Sequence, residues 1–165
     1  MPFSFHFSLL PVLLGLLMGL GASQAALADD DREGGSRRMG PLLPKYKQEC
    51  AACHLAYPPG MLPAASWQRL MGNLPKHYGT DASLDAATVK ELSTWLSANA
   101  GTYKRVREAP PQDRITRSAW FIRKHDEVPA ATWKRASIKS AANCAACHTQ
   151  ADQGNFNEHD VRIPR

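Results

Sequence analysis

The chain has 165 residues, with 20 Lys and Arg against 15 Asp and Glu for a formal charge of +5, and four cysteines. That length supports about one compact unit of one or two lobes and excludes two large independent cores. Every Lys, Arg, Asp and Glu lies after Ala28, so the whole charge belongs to the part that follows the N-terminal segment.

The chain opens on an apolar run, Leu9 to Leu20, then small residues and Ala26-Leu27-Ala28 in A-x-A form before Asp29-Asp30-Asp31. Residues 1–28 read as a secretory signal cleaved after about Ala28. The run is short for a bilayer span, which needs about 20 apolar residues. An uncleaved anchor is the alternative, because the start offers only the amino terminus and His6 as positive groups. Export argues against nucleic acid as the partner of the positive charge. Residues 29–40, "DDDREGGSRRMG", read as a flexible leader.

Next comes "CAACH", Cys50 to His54, and the same five letters return at Cys144 to His148. In an exported chain, four cysteines first suggest two disulfides. A CxxC pair followed directly by His reads differently, as c-type haem attachment: two thiols add to the haem vinyl groups and the adjacent imidazole becomes an axial iron ligand. On one helical turn, residues three apart share a face, so both sulfurs reach one macrocycle edge. Two matches that use every cysteine set chance aside. A thioredoxin-like motif needs a βαβ context, and no convincing strand run is present. A four-cysteine zinc site is opposed by the wide gap between the pairs and leaves both histidines unexplained.

The spacing of Trp67, Leu70, Met71 and Leu74 predicts a short helix over Ser66 to Leu74. His77 follows on a loop. A stronger helix is predicted from Ser83 as N-cap, with Asp85 in its first turn, Val89, Leu92 and Leu96 on one face, Trp95 beside them, and Gly101 as its stop. A CxxCH helix, a ligand loop and a closing helix are the layout of a small class I cytochrome c, with His77 where Met is usual. Between Lys104 and Lys139 ten basic residues face four acidic ones, either a solvated face or a docking surface. Arg114 and Arg135 are candidates to pair with haem propionates.

His125 ends a helical segment in "WFIRKHDEVP", which Pro129 is read to close. Two irons need two further ligands, and His77 and His125 are the candidates. His159, in a polar tail, reads as solvent-facing. Met61 is the rival ligand, with Met39 and Met71 behind it; Met would raise the haem potential, whereas two His–Fe–His centres predict low-potential, low-spin, six-coordinate haems. Trp67, Trp95, Trp120 and Trp133 are expected as haem-crevice walls or ordinary core.

The fold expected is all-α: a class I cytochrome c-like haem 1 domain over 41–101, a basic connector over 102–113, and a smaller, less regular helical haem 2 domain over 114–165 packed on the first. At this point "CAACHLAYPPGMLPAASWQRLM", "HYGTDASLD", "RITRSAWFIRKHDEVPAATWKRASIKSAANCAACH" and the closing "VRIPR" together resemble the small periplasmic dihaem cytochrome c family of purple bacteria, DHC. The resemblance implies two bis-histidine haems c held close together, attached at Cys50, Cys53, Cys144 and Cys147, with His54 and His148 proximal and His77 and His125 distal. It also implies a periplasmic location and electron delivery to an oxygen-binding monohaem cytochrome, the sphaeroides haem protein, from a membrane cytochrome b. With both axial positions filled, the iron is left with one-electron exchange, which makes a carrier and not an enzyme. A ligand-binding or peroxidase-like dihaem protein with one labile axial His is the alternative.

Overall fold

Short apolar stretches at helical spacing, broken repeatedly by prolines, fold here into short helices joined by tight turns. The structure, a computed structural model, describes Met1 and residues 41–165; the signal segment after Met1, the leader and Met39 lie outside the described residues. Among the described residues there is no strand, and the one β-type pairing is an isolated bridge between His77 and Thr80. The fold is all-α.

Three helices build the first part: α1 (Pro44–Cys50), α2 (Ala64–Met71) and α3 (Ala86–Ala98). Pro44 opens α1 at a position where a missing N–H costs nothing. The stretch predicted as one helix to Leu74 divides after Met71; Gly72 and Pro75 disfavour continuation, and Leu74 falls in a 3-10 turn, Leu74–Lys76. Trp67, Met71 and Leu74 are nonetheless buried as their spacing requires.

The cap of α3 is Asp85 and not Ser83. Asp85 accepts the Thr88 backbone N–H at 2.9 Å and the Thr88 hydroxyl at 2.6 Å, while Ser83 is occupied in donating to Asp81. A carboxylate gains from the positive end of the helix dipole as well as from the hydrogen bond, so it wins the position. These bonds, the Thr88 side chain first, hold the Asp85 carboxyl below its usual range. At the other end the helix stops at Asn99, whose side-chain amide donates to the Trp95 carbonyl at 2.8 Å.

Gly101 therefore does not terminate α3. A Cβ there would lie 2.5 Å from the Gly60 carbonyl oxygen and 2.5 Å from Val106 Cγ1, and its N–H donates to the Leu62 carbonyl at 2.9 Å. The glycine allows two backbone segments to touch.

The core joins Tyr46 of α1, Trp67 and Met71 of α2, and Leu92 and Leu96 of α3, with Ala56, Leu62 and Leu74 from the connections. Burying each large side chain here contributes about 1.5–3 kcal/mol. Two of the tryptophans belong to this core: Trp67 donates its indole N–H to the Pro59 carbonyl at 2.7 Å, and Trp95 packs on Tyr46 with ring centroids 5.2 Å apart.

The second part is less regular, with α4 (Ala119–Lys124), α5 (Ala130–Trp133) and several 3-10 turns. Pro129 does not close α4, which ends at Lys124; it stands at the N-cap of α5, the place its fixed φ suits. Buried apolar residues are fewer here, namely Val106, Phe121, Ile138 and Ala151. Backbone carbonyls tie the end of the chain down: Arg162 N–H donates to Cys147 O at 2.9 Å, Arg135 to Pro164 O at 2.8 Å, and Ser137 to Arg165 O at 3.2 Å.

Gly101→Ala is expected to destabilise the haem-loaded protein by about 1–3 kcal/mol, because the added methyl meets a backbone oxygen that cannot rotate away. A thermal denaturation midpoint lowered by several degrees would show it; an unchanged midpoint would mean that the backbone at Gly60 is free to retreat.

Candidate metal centres

Each CxxCH motif needs a turn that brings two thiols and an imidazole together. In the second motif this is a 3-10 turn, Cys144–Ala146, closed by the Cys147 and His148 N–H groups donating to Cys144 O at 3.2 and 2.8 Å. The first motif departs from a single helical turn: α1 ends at Cys50, and Cys53 and His54 lie in the turns beyond it.

His77 starts a tight turn in which Thr80 N–H donates to His77 O at 3.0 Å and both central residues, Tyr78 and Gly79, have positive φ of 52° and 98°. Gly79 adopts that conformation without a side-chain penalty; Tyr78 does not. Tyr78 is held from outside, by its hydroxyl donating to Gln112 O at 2.9 Å and by the Arg114 guanidinium 4.1 Å above its ring. Gln112 and Asp113 are themselves left-handed, at 58° and 54°, which costs roughly 1–2 kcal/mol per non-glycine residue. Asp113 is fastened to α2 by Arg69, whose Nε and Nη2 donate to its carboxylate at 2.9 and 2.6 Å. The connector is thus a latch between α2 and the His77 loop.

The result is a facing pair. The His54 and His77 rings lie 6.1 Å apart, centroid to centroid, at 21°. The His125 and His148 rings also lie 6.1 Å apart, at 74°. Two metal–imidazole bonds of about 2 Å each, plus the half-width of each ring, make about 6 Å. All four sequence-predicted histidines are therefore brought together, in the predicted pairs, while His159 is exposed. Met71 packs in the core cluster and Met61 lies half-buried in the Pro59–Met61 turn.

Each imidazole has an aromatic neighbour: Tyr57 stacks on His54 at 5.0 Å and 22°, Tyr78 meets His77 edge-on at 5.0 Å, Phe121 stacks on His125 at 4.0 Å, and Phe156 lies 5.4 Å from His148. Trp133 stands 5.9 Å from His125, so among the tryptophans it fits the expected crevice wall. Sequence reasoning missed these four aromatic neighbours. The available signal was spacing, since Tyr57 is three residues after His54, Tyr78 adjoins His77, and Phe121 is one helical turn before His125.

One histidine of each pair has its protonation site fixed. His54 Nδ1 lies 2.7 Å from Leu55 O, and His125 Nδ1 lies 2.9 Å from Phe121 O. A carbonyl oxygen only accepts, so Nδ1 carries the hydrogen and Nε2 keeps its lone pair for a metal. Burial, then His54 and then Arg114, lowers the His77 pKa; burial and then His125 lower that of His148. Both effects favour the neutral imidazole that a metal requires.

Among the described residues no three His, Cys, Asp or Glu side chains converge as an all-protein metal cage, and the four cysteines are free thiols. Burial pushes the Cys50 and Cys144 thiols up to about 11. That is opposite to the depressed thiol of a redox-active CxxC. Among the described residues three buried side-chain nitrogens have no hydrogen-bond partner, His77 Nδ1, Trp120 Nε1 and His148 Nδ1. Two belong to the ring pairs, and Trp120 packs edge-on against Phe121. Two imidazole pairs at a metal-bridging separation, each with one member in a motif that carries two free thiols, fit a covalently attached haem.

Comparison with known proteins agrees. Residues 46–156 match the family Dihaem cytochrome c. The chain belongs to the dihaem cytochrome c family. It is similar to the dihaem cytochrome c of Shewanella baltica OS155, with 36% identity over 73% of this chain and 92% of that one and a TM-score of 0.65. It is also similar to two structures of the Rhodobacter sphaeroides protein, at 45% and 44% identity, covering 70% and 69% of this chain and 98% and 96% of those, with TM-scores of 0.61 and 0.62. No curated protein matches. Membership brings two covalently attached haems c, and with them electron-transport chemistry. The family is normally exported, and among the described residues no helix is long and apolar enough to cross a membrane.

The Arg69–Asp113 latch carries a pH dependence. Hydrogen bonds from Arg69 hold the Asp113 carboxyl below its usual range. A depressed folded-state pKa gives stability that is present above the unfolded carboxylate value of about 4 and lost as pH falls through the folded value. Asp113→Asn is expected to lower the thermal midpoint at neutral pH, with the difference from the native protein shrinking as the pH falls below about 4. A difference that stays constant with pH would remove the ion pair from the account.

Proposed function

We propose that this dihaem cytochrome c is a periplasmic single-electron shuttle in which His54 with His77, and His125 with His148, hold the two irons axially, while Cys50, Cys53, Cys144 and Cys147 carry the haems. The observation that supports it is the pair of equal ring separations, 6.1 Å at each centre, made by histidines from different segments. Bound haem supplies the Fe(III)/Fe(II) couple. The protein's part is to fill both axial positions, which leaves no coordination site for a substrate and favours a low potential relative to His–Met ligation. Membership in the family supports a carrier and not an enzyme.

A compact chain of the residues that follow Ala28 has a radius of gyration of about 14 Å, so both haems would lie within reach of one another for internal transfer. Tyr57 joins the centres: its ring stacks on His54, and its hydroxyl donates at 2.7 Å to Ala142 O, two residues before Cys144. The partners proposed are a membrane b-type cytochrome as donor and a monohaem cytochrome resembling the sphaeroides haem protein as acceptor. Exposed Arg123 and Lys124, immediately before His125, suit an acidic docking face.

A second reading has a specific observation behind it. His77 Nδ1 lacks the hydrogen bond that would hold the ring, as does His148 Nδ1, but His148 is tied beside Cys147 in its CxxCH motif whereas His77 comes from a separate loop, so His77 is the ligand to dissociate in a ligand-binding or peroxidase-like protein.

The test is the mature protein made with c-type maturation machinery, with haem counted per chain and spectra recorded with and without CO. Two haems, both low-spin in each oxidation state, without a methionine–iron charge-transfer band and without a CO response, are expected. His77→Ala should then open the first haem alone, giving a high-spin, CO-reactive signal for half of the iron. A CO response in the unaltered protein would transfer the reading to the labile-ligand alternative. Acceptor reduction that slows as ionic strength rises would support charge-guided docking.

A further inference from the structure

The two imidazole pairs have the same separation and different orientations, 21° at the first centre and 74° at the second. What fixes the difference is visible in the residues around them. His125 is the residue just after α4, and Phe121 lies one turn earlier on that helix. Phe121 holds His125 twice: its carbonyl accepts the Nδ1 hydrogen at 2.9 Å, and its ring stacks on the imidazole at 4.0 Å and 19°. Phe121 is itself 7% exposed and backed by Trp120 at 6.0 Å and Trp133 at 6.4 Å. The His125 ring cannot turn about its Cβ–Cγ bond without breaking both contacts. His148 has no Nδ1 partner and takes its orientation from a tilted contact with Phe156 at 52°. At the first centre, by contrast, Tyr57, His54 and His77 lie in one nearly parallel series, at 22° and 21°.

We propose that Phe121 is a positioning residue that holds the His125 imidazole crosswise to His148, so that the second haem has crossed axial imidazoles, the first has nearly parallel ones, and the two irons are electronically distinct. This rests on the four-histidine ligation proposed above. The physical link is the overlap of imidazole π orbitals with the two iron d orbitals of π symmetry. Parallel rings act on the same d orbital and split the pair; crossed rings act on one each and leave them close in energy. In low-spin Fe(III) a large splitting gives a rhombic spectrum with three well-separated g values, and a small one gives a highly anisotropic signal with one very large g value. No other residue in either centre grips its histidine through both ring and carbonyl among the contacts of the described residues.

The experiment is low-temperature EPR of the oxidised holoprotein and of Phe121→Leu and Phe121→Tyr. The native protein should show two low-spin signals of equal intensity, one rhombic and one with a single large g value. Phe121→Leu, which keeps the carbonyl and removes the stack, should move only the large-g signal toward the rhombic form. Phe121→Tyr, which restores the ring, should leave it in place. Two rhombic signals in the native protein overturn the proposal, and so does a large-g signal unchanged by Phe121→Leu. The native spectrum decides the first point even if the leucine variant does not fold, and Phe121→Met then serves for the second. A high-spin signal or a methionine charge-transfer band would instead overturn the four-histidine ligation, an outcome separate from either of these.

Discussion

Two imidazoles must face each other across about 6 Å, with their lone pairs inward, before an iron can be held from both sides. In the ligation proposed, one of each pair comes with its CxxCH motif and the other is delivered by a different stretch of chain. Much of the structure serves that delivery. The left-handed turn at Tyr78 and Gly79 aims His77, the strained connector at Gln112 and Asp113 holds Tyr78, and Arg69 holds the connector. The strained positions are bonded to one another and, through Asp113 and Arg69, to α2, which is the expected way for strain to persist at a functional site.

The two centres meet this constraint with different means. The first draws on packed helices, with Leu92 and Leu96 fully buried between α2 and the loops. The second has few buried apolar residues and relies on carbonyl bonds and aromatic stacking. A segment this small has little capacity to bury apolar surface by itself. A covalently attached macrocycle with large apolar faces would supply further apolar surface to this part. Tyr46 and Tyr57 connect the parts, since the Tyr46 hydroxyl donates at 2.8 Å to Tyr57 O and Tyr57 in turn reaches Ala142.

Much of the chemistry was legible in the sequence because it is written locally. CxxCH specifies thiols and imidazole within five residues, and the further ligands proposed, His77 and His125, are found facing His54 and His148. The helix boundaries were less legible. Ser83 and Asp85 are both good caps, and the choice depends on Asp81 engaging Ser83. Gly101 and Pro129 each suit more than one role, stop or close approach, terminator or cap, and only the neighbours Gly60 and Val106, or the start of α5, decide. The left-handed Gln112 and Asp113 carry little sequence signal, because neither is glycine and only Asp visits that region with any frequency; they are held by Arg69 and Tyr78, distant in the chain.

Ring orientation lies further still from the sequence. His54 and His125 both place Nδ1 on a nearby carbonyl, so the motif-level description of the two centres is the same. What differs is where the aromatic neighbour enters. Tyr57 comes from a loop three residues beyond His54 and extends an almost parallel series of rings, whereas Phe121 comes from one turn back on α4 and fixes the ring relative to that helix axis. The opposing histidine is then set by a separate segment with no knowledge of the first, and the angle between the rings follows from how the two segments are packed. In a carrier, whose task requires that ligands stay put as charge changes, a stack and a hydrogen bond from a single residue are an economical restraint. It fixes the tautomer through its backbone carbonyl and the ring plane through its side chain, and it leaves the in-plane Nε2 lone pair for the iron.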